Sequence, residues 1–138
     1  MKALLFHCKN YATRVDRLSN LPKDIEPEEI KEKEQKCGDC IVSLITIEKG
    51  DDIEETSSNI AEEISKFCDE VGHKNIVLLP FAHLSNNLAK AKDGIKALDL
   101  IENKLKKKFD VMRAHFGSHK SLLLDIYGHV GNARYREF

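Results

Sequence analysis

Cys37-Gly38-Asp39-Cys40-Ile41-Val42-Ser43-Leu44-Ile45-Thr46-Ile47 is the stretch on which the fold turns. The last seven residues carry no charge and are rich in β-branched side chains, so a strand is predicted over 41–47, with turn residues directly before it. Upstream, Ala3-Leu4-Leu5-Phe6 forms a compact apolar block within 2–8 and predicts a buried strand able to sit centrally in a sheet. Between the two, residues 22–36 hold Pro22 and Pro27 and almost nothing apolar, as a solvated loop or short exposed helix would. Downstream, Ile60, Ile64, Phe67, Cys68 and Val71 recur at helical spacing, predicting a helix over 55–71 with Thr56, Ser57 or Ser58 as cap and Gly72 as stop.

A third strand is expected over 75–79, ended by Pro80, and Ser85-Asn86-Asn87 marks a turn or helix start. Ile95, Leu98, Ile101 and Leu105 predict a second helix, with Lys104, Lys106, Lys107 and Lys108 crowding its end, where cations suit the macrodipole. Residues 111–115 and 121–127 read as two more strands. The order β-β-α-β-α-β-β, without internal repeats, points to an α+β class: a mixed β-sheet with helices packed on one face.

The chain has 138 residues, 22 Lys+Arg against 23 Asp+Glu, and 41% hydrophobic residues. That length suits one domain, 1–138, able to bury about two thirds of its unfolded surface. Its apolar runs fall well short of the roughly 18 residues that span a bilayer, so no membrane role is expected. Only Ala3-Leu4-Leu5-Phe6 is apolar before polarity returns at His7, too short for a secretory core; cytoplasmic localisation and four reduced cysteines are the expectation. Nine acidic residues lie between Glu48 and Glu70, and nine basic ones between Lys90 and Lys120. Such asymmetry suits an oriented polyanionic partner, but two solvated helix faces explain it more simply.

Phosphate-loop, dinucleotide, nucleophile-elbow and zincin motifs are all missing from the sequence. Cys37-Gly38-Asp39-Cys40 is a lone CxxC without the second pair that zinc needs, and Phe116-Gly117-Ser118 between His115 and His119 argues against a helix aligning them, so no metal site is expected. Two loops following strands carry more promise: Leu79-Pro80-Phe81-Ala82-His83-Leu84-Ser85 and Arg113-Ala114-His115-Phe116-Gly117-Ser118-His119-Lys120. In each, a small residue, Ala82 or Gly117, lets a ligand approach the backbone beside a possible donor, His83 or Lys120. The simpler alternative is a structural histidine and a surface lysine.

Pro80-Phe81-Ala82-His83-Leu84-Ser85 with Leu88-Ala89-Lys90, then Phe116-Gly117-x-x-Lys120 and Gly128-His129, with Leu4-Leu5-x-His7 at the start and Glu48-Lys49 after the second strand, resembles the N-terminal editing domain of archaeal threonyl-tRNA synthetases. The resemblance runs nearly end to end and implies the fold of D-aminoacyl-tRNA deacylases. It implies hydrolysis of mischarged L-seryl-tRNA(Thr), with Lys120 and His83 matching the family's catalytic lysine and histidine. It also implies a pocket for the 3′-terminal adenosine and its serine at Ile47, Phe81, Ala82, Gly94, Phe116, Gly117 and His119, with the adenosine 2′-OH helping to activate water. No cofactor is implied for editing. The implied partners are the tRNA(Thr) 3′ end carrying serine, a second copy in a homodimer, and a synthetase catalytic domain in a longer chain from which this one is excised. A standalone D-aminoacyl-tRNA deacylase and a catalytically degenerate dimeric RNA-binding module are the alternatives. The sequence departs from the family at His119, where an aromatic usually precedes the lysine, at Gly94, where the pocket wall has alanine, and at Ala133, where an acid is expected; Glu137 lies four residues further on.

Overall fold

A computed structural model describes residues 1–20 and 23–138. The elements are β1 (Lys2–Leu18), β2 (Glu34–Thr46), α1 (Ile53–Val71), β3 (Asn75–Pro80), α2 (Ala91–Leu105), β4 (Asp110–Arg113), β5 (Ser118–Ile126) and β6 (Ala133–Glu137). They build one mixed sheet in the order β4-β3-β2-β1-β5, with β6 also on β1. β2, β3 and β4 run parallel, joined through α1 and α2, while β1 is antiparallel to β2, β5 and β6.

Both helices bury their stripes in one cluster, Ile60, Ile64 and Phe67 from α1 and Ala97, Leu98 and Ile101 from α2, against Ala3, Leu5, Ile41, Ile45, Ile76 and Leu78 of the sheet. This is the α+β arrangement expected, with helices on one face. The opposite face carries a second cluster around Cys8, Tyr11, Cys40, Val42, Leu44, Val77 and Leu79. Among the described residues, no helix is long and apolar enough to cross a membrane.

Strand lengths and caps depart from expectation. β1 runs on to Leu18, well past the 2–8 block, and β2 starts at Glu34, so the CxxC lies inside the ladder, where Cys8 pairs with Cys40 and Tyr11 with Cys37. Asp39 relieves the ladder there with a φ of 42°. Residues 23–33 hold neither helix nor strand; Pro22 lies outside the described residues. β6 was not expected at all. On α1 the cap is Asp52, whose side chain accepts from the Glu55 amide at 3.0 Å, while Thr56 and Ser57 are buried in the first turn. Gly72 does end α1, in the left-handed region at φ 74°, its N–H bonded to the Cys68 carbonyl. Only Lys104 of the four lysines falls within the last turn of α2. The acidic and basic helices lie side by side and neutralise each other, Lys96 to Glu54 and Lys108 to Asp69 at 2.7 Å each.

Candidate functional site

The loop after β3 is pinned along the end of β2. Phe81 N donates to the Ile45 carbonyl at 2.9 Å, Thr46 Oγ1 donates to the Phe81 carbonyl, and Ala89 N donates to the Ile47 carbonyl at 3.0 Å. Glu48 bridges to Leu88 and its Oε2 accepts the Ser85 hydroxyl at 2.6 Å. Between these anchors Ala82 and His83 are exposed, and the His83 ring meets the edge of Phe81 with centroids 5.1 Å apart. A short rigid turn thus presents open backbone and one imidazole to solvent. Ile47 itself is buried in the helix-side core, and its carbonyl is already taken by Ala89.

The loop after β4 is built around two residues of opposite kind. His115 is buried, with Nδ1 paired to Ser118 Oγ at 2.9 Å and Nε2 to the Glu28 carbonyl at 2.7 Å, so it ties the segment before β2 to this loop at Glu28. Phe116 packs on the helix-side core and over Gly94, where a Cβ would come within 3.3 Å of two ring atoms. The alanine expected in this wall therefore has no room unless the ring shifts. Gly117 turns the chain at φ 83°, and its carbonyl accepts from Ser19 N at 3.0 Å. Lys120 then sits half-buried on β5 opposite Val15, its Nζ donating to the Ser118 carbonyl at 3.2 Å. Burial lowers the Lys120 pKa, with Glu28 opposing the shift. His119 is exposed and, by strand alternation, faces away from Lys120.

The predicted residues thus form two groups, Phe81, Ala82 and His83 on one loop, and Gly94, Phe116, Gly117 and Lys120 around the other. Among the described residues, no hydrogen bond or ion pair joins His83 to Lys120. Ala133 belongs to neither group: it pairs with Phe6 while Lys120 pairs with Val15, nine positions away along β1. The two positions therefore fall on either side of the bulge at Cys8/Asn10. Glu137 pairs with Lys2, further still along β1.

The sequence motifs left out Thr46, Asp24 and Glu28 and held Glu48 without a role. Asp24 crosses to the start of α2, where Oδ2 accepts from Lys92 N at 3.1 Å, as a carboxylate favours at a helix N-terminus. His7 and His129, two motif residues from opposite ends of the chain, meet with Nδ1 and Nε2 2.7 Å apart beside His73 and Tyr127. Burial, then His73 and His129, hold His7 below the ordinary imidazole value, with Asp39 pulling the other way. Burial raises the Cys8 thiol to about 11 and pushes Cys40 and Cys37 up as well, which keeps these neighbouring thiols protonated. Among the described residues, no group of three or more His, Cys, Asp or Glu is placed to hold a metal ion.

The family described as the archaea-specific editing domain of threonyl-tRNA synthetase matches residues 1–137. The chain is 42% identical over 104 residues to the threonine–tRNA ligase editing subunit of Saccharolobus solfataricus, covering 75% of this chain and 27% of that protein. It is 34% identical over 128 residues to the threonine–tRNA ligase of Staphylothermus marinus, covering 90% of this chain and 19% of that one. For the ligase of Methanococcoides burtonii the identity is 30% over 131 residues, 94% of this chain and 20% of that enzyme. The chain therefore spans about a fifth to a quarter of the length of these relatives.

Proposed function

This chain belongs to the archaea-specific editing-domain family of threonyl-tRNA synthetase, and from that membership we propose that it hydrolyses the ester of L-seryl-tRNA(Thr). The observation that carries the reading is the pinned turn at residues 81–88, where exposed backbone at Ala82 stands beside the His83 imidazole. A rigid main-chain surface suits the discrimination required. Threonine exceeds serine by one methyl, worth only ~1–3 kcal/mol in a pocket that merely accommodates it, so rejection has to be steric and the wall unyielding. Phe116 wedged on Gly94 supplies such a wall beside the second loop.

In this reading Lys120 supplies a cationic donor to the ribose or the developing oxyanion, and His83 orients substrate and water. Neither side chain has to be a strong base, because the vicinal 2′-OH of the terminal adenosine lies next to the ester carbon and can hold the attacking water. The ester C–O bond breaks, water supplies hydroxide to serine, and the proton passes to the 3′-oxygen. No cofactor takes part. The partners are the tRNA(Thr) 3′ end, a second copy of the chain in a homodimer and a synthetase catalytic domain, in the cytoplasm, with 1–138 acting as one editing unit.

Deacylation of Ser-tRNA(Thr) beside Thr-tRNA(Thr) and a D-aminoacyl-tRNA tests the proposal. Rapid loss of serine with threonine spared is expected; preference for the D-aminoacyl ester, or binding without hydrolysis, overturns it. Replacing the terminal adenosine by its 2′-deoxy analogue is expected to abolish hydrolysis far more than binding. A normal rate on that substrate would require a protein general base, with His83 the first suspect.

A further inference from the structure

Glu48 stands in the turn between β2 and α1, and its two carboxylate oxygens face different parts of the molecule. Oε1 accepts from the Met1 ammonium at 3.2 Å, a group that also reaches Asp51 Oδ1 at 2.6 Å and the Phe138 carbonyl at 2.8 Å. Oε2 accepts the Ser85 hydroxyl at 2.6 Å, with Lys2 Nζ 3.6 Å away. The Ser85 oxygen in turn accepts from Asn87 N at 3.0 Å. Among the described residues, this hydroxyl makes the one hydrogen bond that ties residues 82–86 to another part of the chain. The Glu48 side chain is only 17% exposed, and Met1 is fully buried. The turn carrying His83 is thus anchored through a charge that the chain terminus holds in place.

An ion pair that served only to bury the Met1 ammonium would be complete without Ser85, since Asp51 and the Phe138 carbonyl already receive that group. The second oxygen is aimed instead at the centre of the loop, two residues beyond His83. We propose that Glu48 is a positioning residue of the editing site, holding Ser85 and with it residues 81–88 in the conformation that presents His83 and the Ala82 backbone to the ester. This rests on the preceding reading of that loop as the substrate-facing one. Glu48 touches no reacting atom; it acts through the loop, so its removal lowers the rate of the bound complex more than it weakens binding.

The test uses single-turnover deacylation of Ser-tRNA(Thr) by the full chain and its variants Glu48→Ala, Glu48→Gln, Ser85→Ala, His83→Ala and the double Glu48→Ala/His83→Ala, with amide exchange of residues 82–88 and melting curves alongside. Glu48→Ala and Ser85→Ala are each expected to slow the reaction roughly tenfold at saturating substrate with KM changed less than about twofold. Glu48→Gln, which keeps an oxygen for Ser85, retains more activity than Glu48→Ala. Ser85→Ala leaves the Met1 ion pair intact, so its melting temperature stays near the parent value while amides 82–88 exchange faster. The double variant is expected to be no slower than His83→Ala alone. A parental rate for Ser85→Ala, or full multiplication of the two losses in the double variant, overturns the proposal. If His83→Ala turns over normally, the role given to His83 fails, and amide exchange then decides for Glu48: unchanged protection of 82–88 in Glu48→Ala and Ser85→Ala overturns it, and faster exchange upholds it.

Discussion

The two halves of β1 are one strand in two different environments. Residues 2–6 lie between β2 and β6, and Ala3, Leu5 and His7 are buried, the first two in the cluster under the helices. Beyond a bulge at Cys8/Asn10 the odd-numbered Tyr11, Thr13 and Val15 are again the buried set, but Tyr11 now packs in the cluster on the opposite face, while Arg14, Asp16 and Arg17 face water. The first half is packed by helices and begins at the Met1–Glu48 anchor of the His83 loop; the second pairs with β5, where Val15 lies opposite Lys120. Helix packing and the lysine side of the site are thereby separated along a single strand, and a change in the helix-side core of the first half should leave Lys120 largely undisturbed.

The largest effect that would test this separation is expected from Leu5→Ala, which empties a fully buried site in the helix-side core. A loss of about 3 kcal/mol in urea unfolding is expected, with the deacylation rate of the folded fraction nearly unchanged. Lost activity without lost stability would break the comparison. Next is Lys120→Met, expected to slow deacylation more than tenfold, about 1.4 kcal/mol or more, while the unfolding midpoint hardly moves. A near-normal rate would remove the chemical role from the second half.

Cys40→Ser probes the junction between the halves. Its side chain is fully buried opposite Cys8 and its Sγ meets the Cys37 carbonyl at 3.9 Å, a gap too long for a hydroxyl, so about 1–2 kcal/mol of stability should go. Cys37→Ser, half-buried, should cost less, and deacylation by either variant should stay close to the parent rate. The smallest effect belongs to pH. His7 in the folded chain binds its proton less readily than the ordinary imidazole value of 6.5, so the unfolded chain is protonated first as pH falls. Its contribution is therefore complete above about 6.5 and is lost as the pH drops below that value. Unfolding midpoints at pH 7.5 and 5.5 should show this decline, and His7→Gln should flatten it.

The same comparison explains which parts of the molecule the sequence made legible. Ala3-Leu4-Leu5-Phe6 and the run from Ile41 are apolar along both faces of their strands, and a strand flanked by core on both sides announces itself by composition alone. Tyr11, Thr13 and Val15 alternate with Ala12, Arg14 and Asp16, a shorter and quieter signal that a loop can imitate. Ala133-Arg134-Tyr135-Arg136-Glu137 has almost no apolar signal; it is a strand because β1 offers it free hydrogen-bonding groups from the other end of the chain. The candidate site shows the same division. His83, Gly117 and Lys120 stand in recognisable runs, whereas Glu48 and Thr46 act through bonds to a loop more than thirty residues away, and only the fold makes those neighbours. Gly94 and Phe116 likewise acquire meaning only as a pair.

Lys2 pairs with Glu137, so the sheet closes its first strand with its last. On a ribosome this order has a temporal cost: β1 emerges well before β6 and must wait, one edge open, until the residues up to Glu137 have followed. At about 5–20 residues per second the wait is several seconds or more. Contacts that distant in sequence also make the search slow once the chain is free. The β1–β2 ladder can form early, leaving an apolar edge exposed through that interval, so refolding from denaturant should be slow and sensitive to protein concentration, with aggregation competing at the edge that β5 and β6 eventually cover.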